Sequence, residues 1–274
     1  MRNNDSQKII LILSLPLSLL IMIVSYCGIF IDETYIREVK YYAVQGIGQD
    51  IVNLLIVVPL LIITSLRYTK SKSAMLIWSG VILYLIYSYA IYCFSMHFNF
   101  LFLAYCVILG LSFYSFVYFI FSQINEIKIN VQNFAIIKAT SVFLIILAIL
   151  FYFLWLSEII PAIIKNEIPK SILENGILTN PVHVLDISIF LPAFIITAIM
   201  LIKKREIGYL LAPAMLIFGV LMSIAIIGMV IVMYLNKLNS DLFIITIFIL
   251  IALIGGILLK GYLRNLEITY KRLE

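Results

Sequence analysis

Eight runs of about twenty apolar residues recur along this chain, and that repetition leaves it few ways to fold. A run of that length, wound as helix, crosses a hydrocarbon core of roughly 30 Å. Inside lipid only a helix or a closed barrel satisfies every backbone N–H and C=O. The runs are Ile9 to Ile31, Ile51 to Leu66, Ala74 to Phe94, Phe100 to Phe121, Phe134 to Leu156, Pro181 to Ile202, Ile207 to Leu235 and Leu242 to Leu263. The seventh is longer than a crossing needs, which predicts tilt or extension into an interface. The first follows Arg2 and Lys8 as a signal peptide would, but it lacks a small-residue cleavage site and outruns an ordinary h-region. Tyr26 ahead of Cys27 does not suit a lipoprotein, so the run reads as the first span. With 64% hydrophobic and 12% charged residues, little is left for a soluble domain. The expected fold is an all-α, polytopic transmembrane helix bundle of eight spans, a single membrane domain over residues 1–274.

Basic residues prefer short cytoplasmic loops, so their distribution predicts orientation. With the N-terminus inside, fourteen of the nineteen Lys and Arg fall on the cytoplasmic side, Lys271 and Arg272 of the tail among them. Only Arg37, Lys40, Lys165, Lys170 and Lys237 fall outside. Both termini are therefore expected in the cytoplasm, the chain being multi-pass in the plasma membrane. The net charge of +5 follows from topology and contact with lipid headgroups, and it gives no argument for nucleic acid. Cys27, Cys93 and Cys106 form no CxxC and no zinc spacing; a Cys27–Cys93 disulfide and three free thiols both remain open.

Cytoplasmic links are short, among them "SQINEIKINVQN" from Ser122 and "KKRE" from Lys203, and the chain ends in the charged tail "RNLEITYKRLE". In the outer connection Ser157 to Asn180, Pro169 and Gly176 bracket a short interfacial helix. A shift of 133 lays "DIVNLLIVVPLLIIT" (Asp50 to Thr64) on "HVLDISIFLPAFIIT" (His183 to Thr197), with Pro59/Pro192 and Thr64/Thr197 among five identities. Polar pairs open both copies, Asp50/Asn53 and His183/Asp186. Such a shift spans four crossings, so it predicts parallel half-repeats, 1–130 and 131–274, as in parallel-repeat transporters.

Asn180 suits an N-cap and Pro181 the first helical turn, which places His183 and Asp186 on one helix face, Asp186 about 7 Å beyond the start. Two readings compete: an acid favoured by the helix dipole near a capped end, or a functional carboxylate where charge is costly. Asp50 and Asn53 at the outer start of span two, and Glu158 at the outer end of span five, raise the same question. Together they suggest an outward-facing polar vestibule bounded by spans two, three, five and six, with Tyr84 and Tyr87 as packing glue or pocket wall. Pro59 and Pro192 should kink their helices and free backbone carbonyls beside it. The small residues Gly219, Ser223 and Gly228 read as close-packing positions. His97, His183 and Asp186, with Glu158 near, carry the donor types of a zinc site, although no HExxH sets the spacing. No GxSxG, P-loop or dinucleotide fingerprint is present.

The run Glu174 to Met222, with its "NPVHVLD" segment, leucine-proline and basic turn, resembles a family of uncharacterised bacterial integral membrane proteins. "QDIVNLLIVVPLL" and "HFNFLFLAY" are similar to other segments of that group. The resemblance implies bacterial origin and membrane location and supplies no catalytic residue. Three functions stay open: transport or sensing of a small polar solute or cation, an intramembrane metal-dependent hydrolase of a lipid or membrane substrate, or a non-catalytic membrane subunit of a larger complex.

Overall fold

A computed structural model describes residues 2–124, 127–238 and 241–270, with side chains outside 2–4, 127–130 and 269–270. Lys271 and Arg272, counted above for orientation, lie outside the described residues. Each apolar run closes its own backbone hydrogen bonds as helix, and the result is an all-α bundle with eight helices long and apolar enough to cross a membrane. They are α1 (Arg2–Phe30), α2 (Lys40–Leu66), α3 (Lys72–Ser95), α4 (Phe102–Ile124), α5 (Phe134–Lys165), α7 (Pro181–Ile202), α8 (Glu206–Leu235) and α9 (Leu242–Arg264). Between α5 and α7 lies the short α6 (Lys170–Asn175), which ends at Gly176 in the left-handed conformation with φ 65°. Side chains of Ser71, Asn133, Asn180 and Asp241 accept backbone N–H groups at the starts of α3, α5, α7 and α9.

Two helices begin or end well beyond their apolar runs. α2 starts at Lys40 rather than Ile51, and α5 continues to Lys165 rather than stopping at Leu156. Hydropathy misses the first turns of α2 because they carry Tyr41, Gln45 and Gln49, a polar stripe that faces other helices rather than lipid. Gly48 permits this: a Cβ there would lie 2.5 Å from the Met229 backbone of α8. The consequence is that Asp50 is no helix start; it lies about 15 Å along α2, within the span.

At the two extremes apolarity and burial run in opposite directions. α9 has the highest mean hydropathy, 3.1, and only 6% of its span is buried, whereas α3 has the lowest, 1.8, and 83% is buried. A helix facing lipid needs only apolar side chains, while the enclosed α3 presents Trp78, Tyr84, Tyr87 and Ser88 to neighbours that hydrogen-bond and stack with them. In one group α1 packs on α2, α2 on α3, α3 on α4, and α4 returns to α1. The other group repeats that order with α5, α7, α8 and α9. The groups meet where α8 crosses α2 and α3.

The link after α4 and the tail after α9, expected as a plain loop and a charged tail, pair instead as antiparallel strands β1 (Ile127–Val131) and β2 (Leu266–Tyr270). Lys72 donates to the Ile268 carbonyl and so ties the ribbon to the start of α3. Gln7 bonds Ser65 and Thr69, which sets the start of α1 on this same face. We call it the ribbon face, and the side carrying α6 the α6 face.

Candidate ligand-binding site

The two segments aligned by the shift of 133 break the α-helical ladder at the same place. In α2 the turn Asn53–Val57 is a π-helix, closed by the Val58 N–H on the Asn53 carbonyl. In α7 the turn Asp186–Phe190 is a π-helix, closed by the Leu191 N–H on the Asp186 carbonyl. The two turns are displaced by the same 133 residues, and Pro59 and Pro192 follow each. Proline has no N–H, so the carbonyl five residues behind it loses its partner in π geometry. In α7 that carbonyl is Ile187, and the Tyr152 hydroxyl of α5 donates to it at 3.2 Å.

Around the α2 turn the polar groups close on each other. The Tyr35 hydroxyl donates to Asp50 Oδ2 at 2.5 Å and the Tyr92 hydroxyl to Oδ1 at 3.1 Å. A Cβ at Gly28 would lie 1.8 Å from Oδ2, so only glycine lets α1 approach this carboxylate. Tyr84 donates to Asn53 Oδ1 at 2.9 Å and accepts from Gln49 Nε2 at 2.7 Å, and the same Gln49 nitrogen reaches Ser88. Asp50 and Asn53 are both 0% exposed. Tyr35 comes from the Asp32 to Val39 connection, which is seated by Thr34 on the Cys27 carbonyl, Asn99 on the Thr34 carbonyl and Arg37 on the Phe98 carbonyl. It plugs the α2 site from the α6 face.

Around the α7 turn the arrangement is open on one side. Trp155 Nε1 of α5 donates to Asp186 Oδ2 at 2.8 Å, and the Tyr87 hydroxyl of α3 lies beside the same carboxylate. Asn180 accepts the Val182 N–H as N-cap, as expected, and the Asp186 carboxylate beyond it is turned to α5 and α3. His183 packs against Trp155 with ring centroids 4.8 Å apart and the planes tilted by 46°, and it stands 3.6 Å from Glu158, whose other oxygen accepts the Ser171 N–H of α6 at 2.8 Å. These contacts fix the indole that holds Asp186.

Asp186 then faces a cavity of about 370 Å³ between the two groups, within the size range of small-molecule sites. It runs from Tyr41, Met96 and Asp241 near the α6 face down to Leu191, Phe194 and Gly219. Gln49, Tyr87 and Ser88 share its wall with Asp186, and Ser223 and Phe218 close the far side. Gly219 and Ser223, expected as close-packing positions, line this space instead, whereas Gly228 does pack closely, against Val52 and Gly48.

The single vestibule expected from sequence is thus two sites. Of its residues, Asp186 and Tyr87 reach the cavity; Asp50, Asn53 and Tyr84 are sealed in the α2 network, and Glu158 and His183 stand behind Trp155. The His97, His183 and Asp186 donor set does not gather. His97, in the α3–α4 link, pairs with Glu38 at 2.9 Å, and no three His, Cys, Asp or Glu among the described residues are placed to share a metal. The cysteines are all free, and Cys93 neighbours Cys106 rather than Cys27. Sequence reasoning missed Gln49, Trp155, Tyr152 and Tyr35. The Gln45/Gln49 pair at helical spacing just ahead of Asp50 was the available signal for the first.

No protein-family model matches the chain, and neither the curated proteins nor the solved structures yield a similar one.

Proposed function

We propose that the protein binds a small solute in the cavity beside Asp186, as a transport or sensing protein of the bacterial plasma membrane. The observation that carries this is a cavity reaching into the membrane with a carboxylate in its wall, placed where two four-helix groups meet. A site at such a junction changes shape when the groups rock against each other, which is what alternating access or signal transmission requires. The π-turns beside both polar pairs add support, because such irregularities recur at functional positions. The basic-residue bias supports a cytoplasmic ribbon face, so the cavity opens outward. The shared neighbour order and the matched π-turns support derivation of 1–130 and 131–274 from one four-helix unit.

In this reading Asp186 engages the solute, Tyr87 and Gln49 offer polar contacts, and Trp155 fixes the carboxylate while His183 and Glu158 position Trp155. The hydrolase and partner-subunit readings draw on no feature of comparable specificity. Thermal unfolding of the purified protein against a panel of amines, amino acids, sugars and simple salts tests it. A saturable rise in Tm that is lost in Asp186→Asn and reduced in His183→Ala is expected. A panel without any such rise, with a partner protein co-purifying stoichiometrically, would overturn the reading in favour of a complex subunit.

A further inference from the structure

The chemistry of the cavity wall is lopsided. Two carboxylates contribute to it, Asp186 at depth and Asp241 at the mouth, and among the described residues no Lys, Arg or His does. The groups that hold Asp186 are neutral donors, the Trp155 indole and the Tyr87 hydroxyl. His183, the nearest group able to carry positive charge, is turned behind the indole toward Glu158. A carboxylate enclosed in this way has donors but no counter-charge, and in a poorly solvated site that favours whatever brings one.

The rest of the wall says what should surround that charge. Tyr87, Phe194 and Phe218 form one aromatic cluster, with Tyr87 set edge-on to Phe218 at 5.4 Å and Phe194 at 5.9 Å from it. Phe151 closes the α5 side, and Met222, Met229 and Met233 run up α8 toward the mouth. Aromatic rings attract a cation through their quadrupole, and thioethers adapt to apolar bodies of varied shape. An inorganic cation would instead need a full shell of oxygens, whereas beyond Asp186 and its few polar neighbours this wall is apolar.

Building on the solute-binding reading of the same cavity, we infer that its ligand class is the organic cation: an amine or quaternary ammonium with an apolar body, its charge against Asp186 and its body along Phe218 and the α8 methionines. Anions are rejected by the two carboxylates, and neutral apolar molecules enter without the charge pairing.

The probe pair is benzyltrimethylammonium and its uncharged carbon isostere neopentylbenzene, titrated into the purified protein. Intrinsic fluorescence, in which Trp155 touches Asp186 while Trp78 lies in the core away from the cavity, provides a second readout beside the shift in Tm. Benzyltrimethylammonium is expected to saturate and to bind about tenfold or more tighter than the isostere. Asp186→Asn should remove most of that preference. Comparing two probes on the unaltered protein needs no variant, so a poorly folding substitution cannot obscure the answer. Equal binding of both probes overturns the organic-cation assignment and leaves the solute site standing. Protection by sodium chloride alone, with benzyltrimethylammonium inert, overturns it in favour of an inorganic ion. Binding of neither probe overturns it as well, and the solute panel then decides the broader reading separately.

Discussion

The π-turns of α2 and α7 begin from one pattern and end in different surroundings. In α2, Asp50 is packed against Gly28, bonded by Tyr35 and Tyr92, and covered by the connection that delivers Tyr35. In α7, Asp186 has neutral donors from α5 and α3, Trp155 and Tyr87, and turns toward a cavity. The connection on that side folds into α6 and holds Glu158, with no residue plugged into the turn. The comparison teaches that a polar pair beside a π-turn does not define a role; what covers it does. A carboxylate whose two oxygens are both occupied and which lines no void serves structure, and one left facing a void can serve a ligand.

The sharpest way to break this contrast is to remove each carboxylate in turn. Asp50→Ala takes the carboxylate from the buried Tyr35 and Tyr92 hydroxyls, of which only Tyr92 borders the cavity, and the expected loss is about 2 kcal/mol, since each unpaired buried group costs about 1–3 kcal/mol. Asp186→Ala frees the Trp155 indole N–H and the Tyr87 hydroxyl beside a cavity where water can replace the carboxylate, and the expected loss is about 1 kcal/mol. Unfolding by denaturant in detergent measures both, and the reverse order would contradict the assignment of structural and ligand-facing roles.

A smaller effect sharpens the account of the α7 turn. Tyr152→Phe leaves the Ile187 carbonyl without its donor and should cost about 1 kcal/mol. Pro192→Ala restores an N–H five residues beyond that carbonyl, so the same Tyr152→Phe change should cost clearly less in the Pro192→Ala background. A double-mutant cycle reads the coupling; strict additivity would mean that the hydroxyl does not serve the carbonyl freed by proline.

The smallest effect is expected at the rim. His97→Ala removes a ring from a half-exposed contact with Glu38 and should change stability by less than about 1 kcal/mol, because the His97 backbone N–H still reaches the same carboxylate. Washing with EDTA should leave the Tm of the wild type and of this variant alike, and a drop confined to the wild type would revive a metal role for His97.

Much of the fold was legible because lipid makes a single demand that hydropathy records. The eight spans, the start of α7 at Asn180 and Pro181, and the short α6 between Pro169 and Gly176 follow from run length and cap chemistry. The start of α2 was not legible, since Lys40 to Asp50 is polar for contact with other helices and hydropathy cannot tell that from contact with water. The β1–β2 ribbon joins segments far apart in the chain, and its short alternation in "EIKINV" and "LEITY" was too brief to stand out. Asp186 was found as an unusual charge. Its separation from Asp50 depended on Tyr35 and Trp155, residues whose direction only tertiary packing decides.

The claim that one site is sealed and the other opens to the α6 face can be measured directly by thiol reactivity. In a background with Cys27, Cys93 and Cys106 replaced by alanine, Ser223→Cys reports on the cavity and Asn53→Cys on the α2 network. A membrane-impermeant thiosulfonate applied to proteoliposomes should modify Ser223→Cys from the α6 face and leave Asn53→Cys untouched until the protein is unfolded. Equal reactivity at both positions, or modification of Ser223→Cys from the ribbon face alone, would contradict the account.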